Sequence, residues 1–438
     1  MIRFILKKLF YGVLVLFGVI SLIFFLFNIK NDDPEAIART YVGQNADKDM
    51  IQAVVTDLGL DLPLYKQYLL YVNDLSPISL HSSNEASRRY LDEEKYTGIK
   101  LFSIGENTLM IKLPYLRRSY QNDRKVSEIL WQALPGTMVL AITAILIASI
   151  LGIFLGVVSA INKGTFYDSA SVVFSVLGMS APSYFMALII SWIGGYVWYE
   201  ISYVPALPFI CLGLGAIAGI ALNRIKTRVT LENFSYTYLM EMTLKGFGFG
   251  TAAWFILLGL GGLFNGIFDP IVDIYLEFPG TGLEGKGSLY ESDDLGEEYL
   301  SLSNLILPAI TLGIRPLAIV MQLTRSSLLE VMSQDYIRTA KAKGLSQFQV
   351  IWRHAMKNTL TPVITAISGW FASLLAGAIF VEQIFNWDGL GLKIYNAIIQ
   401  DDMPTVMGSV ILISAFFVII NIIVDVIYAF LDPRIRLR

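Results

Sequence analysis

The chain is poor in the residues from which most active sites are built. It has one cysteine, Cys211, and two histidines, His81 and His354. A single cysteine excludes an internal disulfide and any cysteine-cluster metal site. Cys211 lies in an apolar run, where a small buried hydrophobe is its ordinary role. The histidines are far apart. There is no His-Glu-x-x-His pair, no phosphate-binding Gly-x-x-x-x-Gly-Lys-Ser/Thr loop and no Gly-x-Ser-x-Gly elbow. An enzyme embedded in a membrane needs a paired nucleophile and base, or metal ligands, at membrane depth. His354 instead sits in a basic segment, and the sequence identifies no partner for Asp425. The reading is of a chain with no catalytic residues, no metal site and no ATPase of its own. Charge is scarce as well, at 16% of residues, where soluble domains carry about 25%.

What is abundant is apolar sequence, at 55% of residues. Several runs exceed the roughly eighteen residues that mark a membrane helix. Spans are expected at residues 10–27, 134–161, 169–199, 204–222, 247–268, 304–323, 361–381 and 406–430. Arg3, Lys7 and Lys8 precede the first run, and no small-residue cleavage site follows it, so it reads as an uncleaved anchor with a cytoplasmic N-terminus. Residues 31–130 are polar, mixed in charge and interrupted by Pro34, Pro63, Pro77 and Pro114. That length suits a small folded domain outside the membrane. Arg224, Lys226 and Arg228 follow the fourth run and mark a cytoplasmic turn. Residues 269–303 carry Asp269, Asp273, Glu277, Glu284, Glu291, Asp293, Asp294, Glu297 and Glu298 against Lys286, which suits a solvated external loop without EF-hand spacing.

Four features inside the spans stand out. Gly152 and Gly156 form a GxxxG pair that allows close helix approach. Pro182 interrupts the third run and is expected to kink it. Arg315 lies within the sixth run, where a bare charge is expensive and is expected to face a cavity or the bundle interior. Ser368, Gly369, Ser373, Gly377 and Ala378 give the seventh run a small, polar character. Pro182, Arg315, Ser368 and Ser373 are therefore candidates for lining a solvated path through the spans.

Residues 335–362 form the longest basic, amphipathic segment between two apolar runs. Asp335 to Lys343 reads as a short helix with an acid in its first turn. Gly344 stands where a left-handed residue would end it. Ser346 and Gln349 have the spacing of a capping box, with Leu345 and Val350 as a hydrophobic staple. The second helix carries Phe348, Val350, Ile351, Trp352 and Ala355 among Arg353, His354 and Lys357. Residue chemistry leaves two uses for this apolar face open: lying on lipid headgroups, or filling a partner protein's groove.

The same stretch, YIRTAKAKGL followed by RHAMKN, resembles the EAA loop of ABC-importer permeases, and most closely that of the dipeptide/oligopeptide subfamily. Gly344 holds the motif's glycine and Thr339-Ala340 stand at its Ala-Ala. Arg338 replaces the acidic residue, and His354-Ala355-Met356-Lys357 replace Ile-x-Leu-Pro. Other stretches resembling the subfamily are LGLDLPLYKQYLLYV (58–72), LPGTMVLAI (134–142), SVLGMSAPSYFMALII (175–190), LILPAITLGIRPLA (305–318), the re-entry at 382–408 with Glu382, Gly389, Gly391 and Pro404, and LDPR (431–434).

The resemblance implies an all-α polytopic membrane protein, with a six-helix permease core and two extra inserted transmembrane helices, about eight spans in all. The organisation is then a first transmembrane helix at 1–30, an extracytoplasmic region at 31–130 and core helices 2–3 at 131–200. An inserted hairpin with the acidic loop occupies 201–300, and core helices 4–6 occupy 301–438 with a coupling loop at 335–358. It implies half of a peptide translocation path in the inner membrane, with both termini cytoplasmic. The implied partners are a homologous second permease, two ATP-binding subunits and an extracytoplasmic solute-binding protein, with no nucleic acid. The chain is not itself an enzyme and binds no cofactor; ATP is used by partner subunits. Asp335, Tyr336, Arg338, Thr339, Ala340, Ala342, Gly344, Leu345, Arg353 and His354 would form the coupling loop, with Ala340 and Leu345 in the ATPase groove. Nickel chelates or another small solute are the alternative substrates. A nucleotide-independent channel or a membrane-embedded enzyme is the alternative of a different class.

Overall fold

The computed structural model describes residues 2–28, 33–35, 38–39, 47–84, 87–92, 95–200, 202–227, 236–263, 269–292 and 295–431. Arg228, Asp293, Asp294 and the chain end from 432, with most of LDPR, lie outside these residues, as do the side chains of Arg224 and Lys226. The chain divides into two compact units. One comprises Met1–Ser149, Gly287–Pro316 and Thr361–Arg438, the other Ile150–Lys286 and Leu317–Leu360.

Among the described residues, five helices are long and apolar enough to cross a bilayer: Ile5–Phe27, Val126–Ile161, Glu241–Leu260, Ser303–Met332 and Met403–Val426. The pair Phe166–Ser180 and Ser183–Val197 makes a sixth when taken as one span. Two of the eight expected spans differ in kind. The helix Ala206–Thr227 has a shorter apolar stretch, Ala206–Ala221. The helix Met356–Gly377 opens on the polar residues Lys357, Asn358 and Thr359.

Two expected boundaries move. The second apolar helix starts at Val126 and carries Pro135 in its interior. Val126, Leu130 and Ala133 are fully buried at helical spacing, while polar residues on the other face disguise this turn as loop. At Pro182 the structure has a break instead of a kink. Ala181 is extended (φ −72°, ψ 132°), as the proline ring demands of its predecessor. The helices on either side meet at 110°.

In the first unit, Ile2–Asn28 pairs with Met403–Leu431, and Lys8 Nζ reaches Asp425 Oδ2 at 2.7 Å. Asp425 thus has the partner that the sequence did not identify. The helix Leu64–Leu75, from the LGLDLPLYKQY stretch, packs Tyr71 and Leu75 against Ile23, Phe24, Met407 and Ile411. That stretch is therefore packed on the bundle. Asp402 caps the junction to the last helix, accepting from Ser119 Oγ (2.5 Å), Tyr120 N (3.0 Å) and Thr405 Oγ1 (2.7 Å).

The region between the first two spans holds a β-sheet that the helical pattern did not announce. Strands β1 (Ile78–Ser82), β2 (Gly98–Ile104) and β3 (Asn107–Lys112) pair antiparallel in the order β1-β3-β2. Gly105, at φ 61°, opens the two-residue loop from β2 to β3. The inner face buries Ser79, His81, Thr108 and Met110. His81 Nε2 lies 3.0 Å from Ser79 Oγ, and its ring centroid is 4.3 Å from that of Tyr96. Tyr96 Oη donates to Asp74 Oδ1 at 2.7 Å. Lys112 Nζ donates to the Asp74 carbonyl and stands 4.5 Å from the centre of the Tyr96 ring. Burial pulls Lys112 down to about 8. Burial, and after it the Lys112 charge, presses His81 down to about 4.

In the second unit, glycines set the helix spacing. A Cβ on Gly152 would meet Val320 Cγ1 at 2.8 Å, and one on Gly156 would meet Met321 O and Thr324 Cβ at 2.6 Å. The GxxxG pair is thus the seat of the Ser303–Met332 helix. The helices Ala206–Thr227 and Tyr236–Leu263 form an equally close hairpin, in which a Cβ on Gly246 would meet the Cys211 carbonyl at 2.3 Å. Strand pairing of Ser202–Pro205 with Tyr275–Phe278 closes its base.

Two outcomes follow from this packing. Replacing Gly246 forces the hairpin apart, so Gly246→Val is expected to cost roughly 1–3 kcal/mol, read as a lower thermal midpoint in detergent. An unchanged midpoint would refute the close contact. The second outcome concerns acid. The folded pKa of His81 lies below its ordinary 6.5, so the unfolded chain takes up the proton first. Its stabilising contribution is present above pH 6.5 and is lost as pH falls towards 4. Protection of β1 and β3 amides from hydrogen exchange is expected to fall over that window, and to fall less in His81→Asn.

Candidate functional site: a basic segment on an apolar seat

The basic segment is ordered by its own local chemistry. Asp335–Ala342 is helical, and Lys343 (φ −75°, ψ 1°) leads into Gly344 at φ 79°. An L side chain at 344 would strain this left-handed turn. The capping box is present with both bonds: Gln349 N donates to Ser346 Oγ at 3.3 Å, and Ser346 N donates to Gln349 Oε1 at 3.2 Å. Beyond it, Gln347–Gln349 runs into a wider π-helical turn, Val350–Ala355, and then directly into Met356–Gly377. The second helix of the segment is thus the beginning of the following long helix. Asn358 Nδ2 donates to Tyr336 Oη at 2.7 Å and pins the first helix to it.

Most of the apolar face is consumed within the chain. Ile337, Ala340, Val350, Ile351, Ala355 and Met356 are buried with Val157, Ala160 and Leu328 in one cluster, and Leu345 packs against its edge. Ala340, expected in the ATPase groove, is instead buried in this cluster and holds the first helix to its own unit; Leu345 is half-buried in the turn after that helix. The apolar groups left outward are Phe348 and Trp352, 69% and 54% exposed, with ring centroids 6.1 Å apart. Around them Arg338, Thr339, Lys341, Ala342, Lys343, Gly344, Arg353 and Lys357 are exposed, as are Asp335 and Tyr336, while His354 is half-buried. Asp335 and Arg338 form an exposed pair at 3.3 Å, worth little in water. The result is an aromatic pair in a basic rim on a rigid base.

Beside the seat is an ion pair whose carboxylate is buried. Asp168 Oδ1 accepts from Arg325 Nε at 2.6 Å and Ser159 Oγ at 2.7 Å. Its Oδ2 accepts from Arg325 Nη2 at 3.0 Å and Gly164 N at 2.9 Å. Asp168 is buried while Arg325 is a quarter exposed, so deleting the arginine leaves the carboxylate without its counter-charge. Sequence reading passed over Asp168. The signal was available: a lone acid entering an apolar run requires a partner.

The candidate path residues fall in different places. Pro182 belongs to the second unit, and Arg315, Ser368 and Ser373 to the first. Arg315 is exposed, with its guanidinium carbon 6.0 Å from the centre of the Trp370 ring. It therefore does not face this chain's bundle interior; stacking on an aromatic plane supports it at the surface. Ser373 is exposed, and so are Thr361, Thr365 and Gly369, each four residues from the next along the same helix. Ser368 is half-buried, and its hydroxyl donates back to the Ile364 carbonyl at 2.9 Å. The polar stripe thus runs through Thr365 and Ser373, one position removed from Ser368.

Glu382 organises the turn that follows. It is fully buried, with Oε1 accepting from Thr137 Oγ1 at 2.7 Å and Oε2 from Leu392 N at 3.1 Å. Thr137 Oγ1 in turn accepts from Leu390 N at 2.8 Å, and Trp387 Nε1 donates to Gly136 O at 3.0 Å. Gly389 leaves room for the carboxylate, since a Cβ there would come within 2.5 Å of Oε2.

A family model described as "Binding-protein-dependent transport system inner membrane component" matches residues 152–437. A second, for the N-terminal part of such membrane components, matches residues 1–83. Over its whole length the chain is 28% identical to the dipeptide transport system permease protein DppB of Alkalihalophilus pseudofirmus, with all of that protein covered. It is 29% identical to the di/tripeptide transport system permease protein DppB of Pseudomonas aeruginosa, with 99% of it covered. The probable D,D-dipeptide transport system permease protein DdpB of Escherichia coli is 29% identical over 97% of this chain and 94% of its own. With these matches added to apolar helices that can cross a bilayer, the chain belongs to the inner membrane components of binding-protein-dependent transport systems and is a multi-pass membrane permease.

Proposed function

We propose that the chain is a permease subunit of an ATP-driven peptide importer, and that its basic segment is the docking element for a cytoplasmic ATP-hydrolysing subunit. The observation that carries this reading is the exposed Phe348–Trp352 pair, set in a basic rim on a segment whose remaining apolar face is already covered. An aromatic anchor ringed by charge suits a protein groove. The peptide cargo is inferred from relatives named as dipeptide and di/tripeptide permeases. In this reading the chain supplies half of a path beside a homologous permease, two ATP-binding subunits dock beneath, and a solute-binding protein delivers substrate outside. Both termini and the segment are cytoplasmic, as their Lys and Arg content favours. Closure of the ATPase pair moves the segment, and the path alternates between its two sides by rigid displacement. The inserted hairpin of helices Ala206–Thr227 and Tyr236–Leu263 is an addition to the core.

Within the path, Arg315 offers a cation held over Trp370, next to a polar helix stripe. A peptide's terminal carboxylate is the anion it would bind.

Three measurements test the reading. Phe348→Ala with Trp352→Ala is expected to leave chain abundance in membranes unchanged, while cutting co-purifying ATPase and peptide uptake at least tenfold. An undiminished complex would refute the docking role. Gly344→Val strains the left-handed turn by about 1–2 kcal/mol and is expected to uncouple hydrolysis from transport; full uptake would sink that role for the bend. Arg315→Gln is expected to raise the half-saturating concentration of a dipeptide about tenfold and to leave its C-terminally amidated form unaffected. Equal effects on both peptides would remove Arg315 from substrate recognition.

A further inference from the structure

The Asp168 carboxylate joins three segments of one unit. Its four bonds go to Ser159 near the end of Val126–Ile161, to Gly164 in the following turn, and twice to Arg325 on Ser303–Met332. Asp168 itself stands in the first turn of Phe166–Ser180, the helix that ends at the break. The neighbours of these groups are the seat of the basic segment. Ala160 follows Ser159 directly, Val157 lies two residues before it, and Leu328 lies one helical turn past Arg325; all three are in the cluster that buries Ile337, Ala340 and Val350.

The arrangement has one directional consequence. Displacing the segment displaces its seat, which consists of one face each of Val126–Ile161 and Ser303–Met332. The helix Phe166–Ser180 adds no residue to that cluster; at this end it is held by the Asp168 carboxylate. Its other end is the extended pair Ala181–Pro182, where the chain turns by 110°. A break between two helices is a place where a small rotation is absorbed without losing helical hydrogen bonds. A bidentate Arg–carboxylate contact is the stiffest link such side chains make, because two parallel bonds fix its orientation as well as its length.

We propose that Asp168 and Arg325 are positioning residues for transport: they pass displacement of the basic segment on to the broken helix Phe166–Ser180/Ser183–Val197. The pair acts through the helix in whose first turn Asp168 stands. This role rests on the reading of the segment as the ATPase docking element.

The test uses the whole transporter, purified with its ATPase and solute-binding subunits and reconstituted in vesicles. Three variants are compared with the unaltered chain: Asp168→Asn, Arg325→Gln and the double variant. The readouts are membrane abundance, ATPase retained per permease, ATP hydrolysis, and dipeptide transported per ATP hydrolysed. The proposal expects retained ATPase and near-normal hydrolysis, with dipeptide per ATP down at least tenfold in each single variant. The double variant is expected to be no worse than either single one, since both remove the same link. Arg325→Lys keeps the charge and loses the fork; it is expected to restore abundance where the others lose it, and to leave the transport ratio low. A purely structural pair gives the opposite pattern: fewer complexes, each transporting at the unaltered ratio, and that result overturns the proposal. Should the unaltered chain retain no ATPase, the docking reading itself fails and the proposal falls with it. Full retention by the unaltered chain with normal coupling in Arg325→Lys overturns the proposal alone.

Discussion

The burial of Ile337, Ala340, Val350, Ile351 and Ala355 against Val157, Ala160 and Leu328 decides what the basic segment can present. A basic amphipathic helix with its apolar side free would lie in a lipid surface. Here that side is occupied by the chain's own helices, so the segment is held in one orientation. The aromatic groups left outward are Tyr336, Phe348 and Trp352. The π-helical turn at Val350–Ala355 then joins the segment to Met356–Gly377 without a loop.

The same economy appears in the charges. A carboxylate or guanidinium among apolar helices is tolerated only with a partner built beside it. Asp168 has Arg325, and Asp425 has Lys8. Both pairs link helices that are distant in sequence, so they fix the neighbourhood of helices as well as neutralising charge. Arg315 has no such carboxylate in its described contacts and rests on Trp370 instead. That difference separates an arginine paired within the fold from one left at its surface. Glu382 shows a third arrangement, in which a buried carboxylate is surrounded by hydroxyl and backbone donors and shapes the Trp387–Leu392 turn.

Outside the apolar helices, the small sheet and the helix Leu64–Leu75 form a solid element around Tyr71, Tyr96, His81 and Lys112. Its cohesion is mixed: an aromatic cluster against Ile23 and Phe24 at one end, and buried polar groups bonded to Asp74 at the other.

Local features were legible in the sequence because they rest on residues close together in the chain. Gly344 and the Ser346–Gln349 box define the bend by their own geometry. The apolar runs locate the long helices, since a bilayer demands that length. The family resemblance rested on the same local stretches. What the sequence did not decide was every pairing made at a distance. Helical periodicity reveals that the segment has an apolar face. It does not reveal that Val157 and Leu328 cover that face, so Ala340 read as outward and proved inward. The start of the second apolar helix at Val126 was hidden because its burial depends on Leu390 and its neighbours. The break at Pro182 and the partners of Asp168 and Asp425 belong to the same class. Backbone and capping preferences act over a few residues and so can be read directly, whereas side-chain partners depend on which helices the tertiary structure brings together.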